Sequence, residues 1–241
     1  DANGCQETIS QSIVEPTQLA STISSTQVLC AGGANGSVDL DVTGGTTPYN
    51  YVWNNGAITQ DLAAVSGGTY TVVIYDANGC SIVNSTIVTE APPITLSVSV
   101  INVLCNGAAT GSVTLTVNGG VSPYDYTWSN GASTQNLTGV TAGTYEVTVK
   151  DANNCTASIS ATVTQPSAMV MNSSVVSVGC AGGADGSVDI TVQGGVFPYT
   201  YSWSNGAVTE DINNVSGGTF DVTVTDANLC TITATFTITE P

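Results

Sequence analysis

The sequence predicts an all-β protein built as a tandem array of antiparallel β-sandwiches. An aromatic motif recurs at a spacing of 75 residues, at Pro48–Gly56, Pro123–Gly131 and Pro198–Gly206. Apolar residues alternate with Thr and Ser along most of the chain, and this period of two is typical of half-buried strands. Gly and Asn-Gly turn signals separate these stretches, as expected for short strands joined by hairpins.

Prolines divide the chain into units of equal length. We expect one sandwich in each of the ranges 16–90, 91–165 and 166–241. Residues 1–15 resemble the last strand of a preceding unit, because Asp1–Cys5 matches Asp76–Cys80 closely. A unit of 75 residues is small for an independent core, so a covalent staple or contact with a neighbouring unit is expected.

The second unit shows the order of its strands most clearly. Alternation from Ile94 to Val100 predicts strand A, and a change of phase at Ile101 and Val103 suggests a bulge or a crossing between sheets. Strand B is predicted from the alternation of Val113 to Val117.

The aromatic strand C follows a Gly-Gly turn. Asn130-Gly131 then predicts a type I′ turn into a short strand C′ near residues 132–134, and strand E is expected over 136–140. Strand F begins near Gly143, and strand G follows Cys155. The result is about seven strands in each unit.

Tyr145 at the start of strand F resembles the tyrosine corner of immunoglobulin-like (Ig-like) sandwiches. Phe220 occupies this position in the third unit and cannot make the hydrogen bond. Together with the strand count and the turn spacing, this residue favours tandem Ig-like antiparallel sandwiches.

The alternating aromatic residues have two interpretations. Buried Trp on strand C is a hallmark of Ig-like cores, so we expect a core role, although exposed rings could instead stack against sugars. The residues assigned to the core are Tyr51, Trp53, Tyr126, Trp128, Tyr201 and Trp203.

The charge composition limits the possible functions. The chain has 18 acidic residues, one basic residue and no His, giving a net charge of -17. Binding to nucleic acid or to an anionic membrane is disfavoured, because no cluster of cations can meet phosphate. Catalysis by His-based triads is excluded, and we expect no enzyme activity. No apolar run is long enough to span a membrane.

Seven cysteines at regular spacing predict extracellular disulfides. One possibility is a bridge within each unit, such as Cys30–Cys80. With seven strands, however, the two cysteines of a unit lie at opposite poles, too far apart for a disulfide. Bridges between units are therefore favoured, namely Cys30–Cys155 and Cys105–Cys230, with Cys5, Cys80 and Cys180 pairing outside this chain. Loss of strand C′ would restore the alternative.

The loops before the second cysteine of each unit contain oxygen ligands that suit Ca²⁺. These residues are Asp76, Asn78, Asp151, Asn153, Asp226 and Asn228. The alternative is a hairpin loop in which Asp and Asn bond to their own backbone. No other cofactor is indicated.

The full motif resembles the SprB repeat of giant surface adhesins from gliding Bacteroidetes. It contains Gly-Ser-Val, Pro-Tyr-x-Tyr-x-Trp-x-Asn-Gly, Gly-Thr-Tyr and Asp-Ala-Asn-x-Cys in fixed order, and the resemblance covers the chain. It implies a cell-surface protein at the outer membrane, exported by the type IX secretion system and moved by the gliding machinery. We therefore expect a mechanical adhesin segment that grips a substratum. A module that binds polysaccharide is the alternative, and it predicts that purified repeats pellet with insoluble polysaccharide.

Overall fold

The computed structural model describes residues 2 and 4–241, and this part of the chain contains strands and turns but no helix. Eighteen strands are present, six for each 75-residue spacing. The first six are β1 (Ala20–Thr26), β2 (Gly36–Thr43), β3 (Asn50–Trp53), β4 (Leu62–Val65), β5 (Gly68–Tyr75) and β6 (Ser81–Val88). The next six are β7 (Thr95–Ile101), β8 (Gly111–Asn118), β9 (Asp125–Trp128), β10 (Leu137–Val140), β11 (Gly143–Lys150) and β12 (Thr156–Val163). The last six are β13 (Val170–Val176), β14 (Gly186–Gln193), β15 (Thr200–Trp203), β16 (Ile212–Val215), β17 (Gly218–Thr225) and β18 (Thr231–Ile238).

The chain forms two compact units. The first contains the described residues up to Ile94, together with Gly119–Tyr124 and Asp151–Cys155. The second contains Thr95–Asn118, Asp125–Lys150 and Thr156–Pro241. Residues 4–19, which include most of the predicted strand of a preceding repeat, form no strand, whereas residues 1 and 3 of that segment lie outside the description.

Each set of six strands forms two antiparallel sheets of three strands. In the first sandwich the orders are β1-β2-β4 and β3-β5-β6, and the other two sandwiches repeat them. In Ig nomenclature these sheets are A-B-E and C-F-G, so the topology is that of an Ig domain without strand D. The predicted all-β fold of tandem Ig-like sandwiches is confirmed, but each sandwich has six strands rather than about seven.

The missing strand is C′, predicted near residues 132–134. The backbone there joins no ladder, because side chains make the contacts with strand β8 instead. Gln135 Nε2 donates to the Leu115 carbonyl at 2.8 Å, and Asn136 Oδ1 accepts from the Leu115 N–H at 3.0 Å. The segment therefore returns along the sandwich as an irregular connection.

The turn before this segment also differs from the prediction. A type I′ turn needs positive φ at both central residues, but of Asn130 and Gly131 only Gly131 adopts it, at 84°. The Trp128 N–H donates to the Ala132 carbonyl at 2.9 Å, which closes a three-residue loop. Such loops place one residue, usually Gly, in the left-handed region.

Two tyrosine corners are present. Tyr70 Oη donates to the Ser66 carbonyl at 3.0 Å, and Tyr145 Oη donates to the Thr141 carbonyl at 2.9 Å. Phe220 replaces this Tyr in the third sandwich and has no hydroxyl. Ring packing remains, because Phe220 contacts the hydrophobic core of that sandwich.

The core lies between the two sheets and consists mainly of Val, Leu, Ile and one Trp. In the first sandwich Val38, Leu40 and Val72 are almost fully buried, and they pack with Trp53. Val28, just after β1, leaves the A-B-E sheet and forms a parallel bridge with Glu90 beside β6. The predicted change of phase after strand A is therefore a crossing between sheets, at which the ends of strands A and G are joined.

We expect Leu115→Ala to lower the free energy of unfolding of the second sandwich by about 2–5 kcal/mol, because it leaves a cavity in the core. Leu115 is 1% exposed at the centre of β8. Chemical denaturation followed by Trp fluorescence measures the change. Thr114→Ala, at the exposed neighbouring position, is the matched control and should change stability little. An equal effect of both substitutions would contradict the assigned core face.

Candidate functional site: the junctions between repeats

Strand directions place the two cysteines of the first sandwich at opposite poles. Strands β1 and β6 run parallel, since Val28 bridges Thr89 and Ala91 through backbone hydrogen bonds of 2.9 and 3.1 Å. Cys30 follows β1, whereas Cys80 directly precedes β6. The eight residues of β6 span roughly 26 Å, which exceeds the reach of a disulfide.

Two disulfides instead join consecutive repeats. Cys30 is bonded to Cys155, and Cys105 is bonded to Cys230, each across a sequence separation of 125 residues. The Cα atoms lie 5.6 Å apart in both, within the usual range. These are the pairings that the argument from strand parity favours. The strand count behind that argument was wrong, but the irregular segment in place of C′ still returns to the opposite pole.

A side-chain hydrogen bond accompanies each bridge. Asn153 Nδ2 donates to the Leu29 carbonyl at 3.0 Å, next to Cys30–Cys155. Asn228 Nδ2 donates to the Leu104 carbonyl at 2.9 Å, next to Cys105–Cys230. Each junction therefore combines a covalent bond with a specific polar contact.

A buried Asp shapes the loop that carries the second cysteine. Asp151 is 3% exposed, and its Oδ1 accepts hydrogen bonds from the N–H groups of Asn153 and Cys155, each at 2.9 Å. Its Oδ2 accepts from the N–H of Val121 at 3.0 Å. Asp76 and Asp226 make the equivalent bonds in the other two repeats. The carboxylate therefore fixes the position of the cysteine backbone.

These hydrogen bonds lower the pKa of the carboxyl groups. Burial raises the pKa of Asp226, but hydrogen bonds from the backbone of Cys230, Val196 and Asn228 lower it by more. The net pKa is below its ordinary value, and the same holds for Asp76 and Asp151. The ionised form is therefore the one that stabilises the loop.

The loop with the first cysteine is held by the residue that precedes each linker. Glu90 Oε2 accepts from the Gly32 N–H at 3.0 Å, and Glu240 does the same for Gly182 at 3.0 Å. Gln165 Oε1 accepts from the Gly107 N–H at 2.8 Å in the second repeat. Sequence reasoning missed this contact, although an acid or amide at this position in all three repeats was a usable signal.

The same type of cleft lies beside Cys80 and beside Cys230. The cleft beside Cys230 has a volume of about 390 Å³ and includes Cys105 of the preceding repeat. The cleft beside Cys80 has a volume of about 420 Å³ and is lined by Pro16–Leu19 and Asp76. Both clefts therefore occupy equivalent positions, at the pole that receives a preceding repeat.

The other cysteines are exposed. Within the described part of the chain, Cys80 and Cys180 belong to no disulfide. Cys5 is also exposed. Their predicted pairing with further repeats remains a prediction.

The aromatic residues on the third strand of each sandwich divide into two groups. Trp53, Trp128 and Trp203 are 2–3% exposed, and Trp53 Nε1 donates to the Thr59 carbonyl at 2.8 Å. Tyr51, Tyr126 and Tyr201 are half-buried at the edge of the core. Burial, together with the charge of Glu210, raises the pKa of Tyr201 to about 12.

The residues considered for Ca²⁺ lie together in these loops, but their polar groups have other contacts. Asp76 accepts backbone N–H groups as described for Asp151, and Asn78 Nδ2 donates to Thr46 Oγ1 at 2.9 Å. Asn153 and Asn228 donate to the preceding repeat. Among residues 2 and 4–241, no three His, Cys, Asp or Glu side chains form a group suited to a metal ion. The arrangement supports the hairpin-loop interpretation.

The fold and the junctions define the chain as a tandem array of Ig-like sandwiches cross-linked by disulfides. The family model of the SprB repeat matches residues 22–58, 97–133 and 172–208, so each sandwich contains an SprB repeat. The predicted family resemblance is confirmed. Family and fold support a repeat module of a surface adhesin-type protein and point to a structural, non-enzymatic role.

Solved structures that resemble the chain include arrays of Ig domains. The first eight Ig domains of Down Syndrome Cell Adhesion Molecule match with a TM-score of 0.43 and 11% identity, over 93% of this chain and 45% of that chain. Ig domains 1–5 of Sidekick-1 match with a TM-score of 0.38 and 9% identity, over 94% of this chain and 60% of that chain. No curated protein matches the chain. In its described part, no helix is long and apolar enough to cross a membrane.

We expect Asp226→Asn to destabilise the third sandwich at pH 7, because the neutral amide is a weaker acceptor for the buried N–H groups. A lowered carboxyl pKa contributes stability above the unfolded-state pKa of about 3.9, and this contribution is lost as pH falls through the folded-state pKa. The difference in unfolding midpoint between the variant and the natural protein should therefore shrink below about pH 4. Thermal melts from pH 7 to pH 2 measure it.

The exposed Asp39→Asn is the control for the change in net charge. It should leave the unfolding midpoint almost unchanged over the same pH range. If Asp226→Asn behaved in the same way, the assigned role of the buried carboxylate would be wrong.

We expect removal of divalent cations with EDTA to leave the thermal unfolding midpoint unchanged. The carboxylates of Asp76, Asp151 and Asp226 already accept backbone N–H groups, so folding of the loop needs no cation to replace them. Differential scanning calorimetry with EDTA and with added Ca²⁺ measures this. A lower midpoint in EDTA that Ca²⁺ restores would instead establish a stabilising calcium site.

Proposed function

We propose that this chain is a segment of a secreted, filamentous cell-surface adhesin that acts mechanically in surface attachment and gliding motility. In this proposal, residues 16–90, 91–165 and 166–241 are successive repeats. Residues 1–15 contribute the last strand of a preceding repeat. The segment transmits force and performs no catalysis.

The covalent bonds between repeats are the observation that carries this proposal. Each junction is crossed twice, once by the backbone and once by a disulfide. A protein whose repeats are only tethered binding modules does not need the second connection. Disulfides also favour an extracellular location, because such bonds form and persist in oxidising compartments.

The proposed partners follow from the family and the charge. Further repeats of the same protein are the immediate partners, and the gliding machinery at the cell surface moves the protein. Export by the type IX secretion system and association with the outer membrane belong to the same proposal. The substratum, or polysaccharide on it, is the surface that the protein grips, and a net charge of -17 disfavours nucleic acid.

Antibodies raised against the three repeats test this proposal on the cells that produce the protein. We expect them to label intact cells, and beads coated with them to move along the cell body. Beads coated with non-immune antibody are the control. Labelling only after permeabilisation would overturn the surface location, whereas stationary bound beads would retain the adhesin but overturn the gliding role.

A further inference from the structure

We propose that the disulfides create two continuous covalent paths through the array, which carry tension along strands A and G and leave the other four strands of each sandwich free of load. This inference deepens the mechanical role proposed above. It depends on which strand each cysteine adjoins.

Strand A of each sandwich has a covalent connection at both ends. In the second sandwich, β7 is preceded by the linker Ala91–Pro93 and followed by Cys105. The linker comes from the preceding repeat, and Cys105 is bonded to Cys230 of the following one. Tension that enters at the linker can therefore leave at Cys105 without passing through β8 to β12.

Strand G has the same property with the order reversed. In the second sandwich, β12 is preceded by Cys155, which is bonded to Cys30 of the preceding repeat. It is followed by the linker Pro166–Ala168, which leads into the next repeat. Tension that enters at Cys155 can therefore leave at this linker.

The two paths alternate between the strands. The Cys80 path runs from Cys80 through β6 and β7 to Cys105, and then from Cys230 through β18. The Cys180 path runs through β1 to Cys30, and then from Cys155 through β12 and β13 to Cys180. Each sandwich contributes strand A to one path and strand G to the other.

Both paths are almost fully extended in the folded protein. Strands already rise about 3.2–3.4 Å per residue, close to the limit of about 3.3–3.6 Å for an extended chain. Strands A and G also run parallel, with their ends joined through Val28. Tension therefore stretches each strand along its own backbone, whereas in a reduced chain it would shear strand A against strand G.

The residues between the two cysteines of a repeat form a loop outside both paths. In the second repeat this loop is 106–154, which contains β8 to β11 and therefore most of the core. Its ends connect to different paths, so it becomes loaded only if one path slides past the other. The array resists extension without relying on the mechanical strength of its cores.

Single-molecule force spectroscopy on the 241-residue chain tests this inference. A variant with Cys5→Ser and Cys180→Ser leaves Cys80 as the only cysteine outside the two bridges, so one handle couples there and the other to the C-terminus. The covalent path between the handles is then 38 residues, or roughly 130 Å when extended. We expect no unfolding step before reduction.

Reduction should lengthen the same tether to 162 residues, or roughly 560 Å, with unfolding of the second and third sandwiches. A variant that also carries Cys105→Ser and Cys230→Ser should give this length without reductant. A limit of roughly 390 Å in the oxidised protein would correspond to 113 residues and to bridges within repeats. That result would overturn the two paths.

A tether on the other path is the matched control for the shielding of the core. With Cys5→Ser and Cys80→Ser, the handles couple to Cys180 and the C-terminus, and the third sandwich lies between them as 62 residues of chain. We expect this sandwich to unfold under force even when both bridges are intact. If it resisted the same force as the first tether, intrinsic strength rather than the covalent paths would explain the resistance.

These outcomes are separate from the test on cells. Movement of antibody-coated beads together with a long oxidised tether would retain the gliding adhesin and reject the covalent paths. A short oxidised tether on a protein absent from the cell surface would do the reverse.

Discussion

The distance between the two poles of a sandwich is the constraint on which the junctions depend. Cys30 and Cys80 are separated by the length of β6, so neither can satisfy the other. Each can pair only with a loop at the facing pole of another repeat. Because Val28 holds the ends of strands A and G together, the linker and the cysteine leave the sandwich from the same pole. The geometry of one sandwich therefore determines the connection between two.

The small size of each sandwich explains why loops contain buried polar groups. Six strands leave little room for a large core, and tight contacts are needed where the sheets meet. A Cβ on Gly111 would lie 2.7 Å from Val163 Cγ1, so only glycine allows this approach of strands B and G. At the opposite pole Asp151 supplies acceptors for three backbone N–H groups that have no strand partner. The carboxylate replaces a ladder that the fold is too short to provide.

Periodicity predicts the long strands well and the short connections poorly. Strands A, B, F and G have seven or eight residues each, and their alternation identifies them without ambiguity. The segment near 132–134 has the same composition as a short strand, but the side chains of Gln135 and Asn136 take the place of its backbone in bonding β8. Sequence patterns do not reveal that exchange. Contacts between repeats, such as Asn153 with Leu29, are equally hidden, since no local period encodes them.

Charge and cross-links act in different directions on the same array. Connections along the chain are covalent, so they are insensitive to the repulsion expected from a net charge of -17. Contacts between separate molecules have no such bond, and outward acids such as Asp39 oppose them at low ionic strength. Exposed sheet edges rich in Thr and Val would otherwise favour pairing between chains. The acidic surface therefore keeps neighbouring molecules apart without weakening the connections that transmit force.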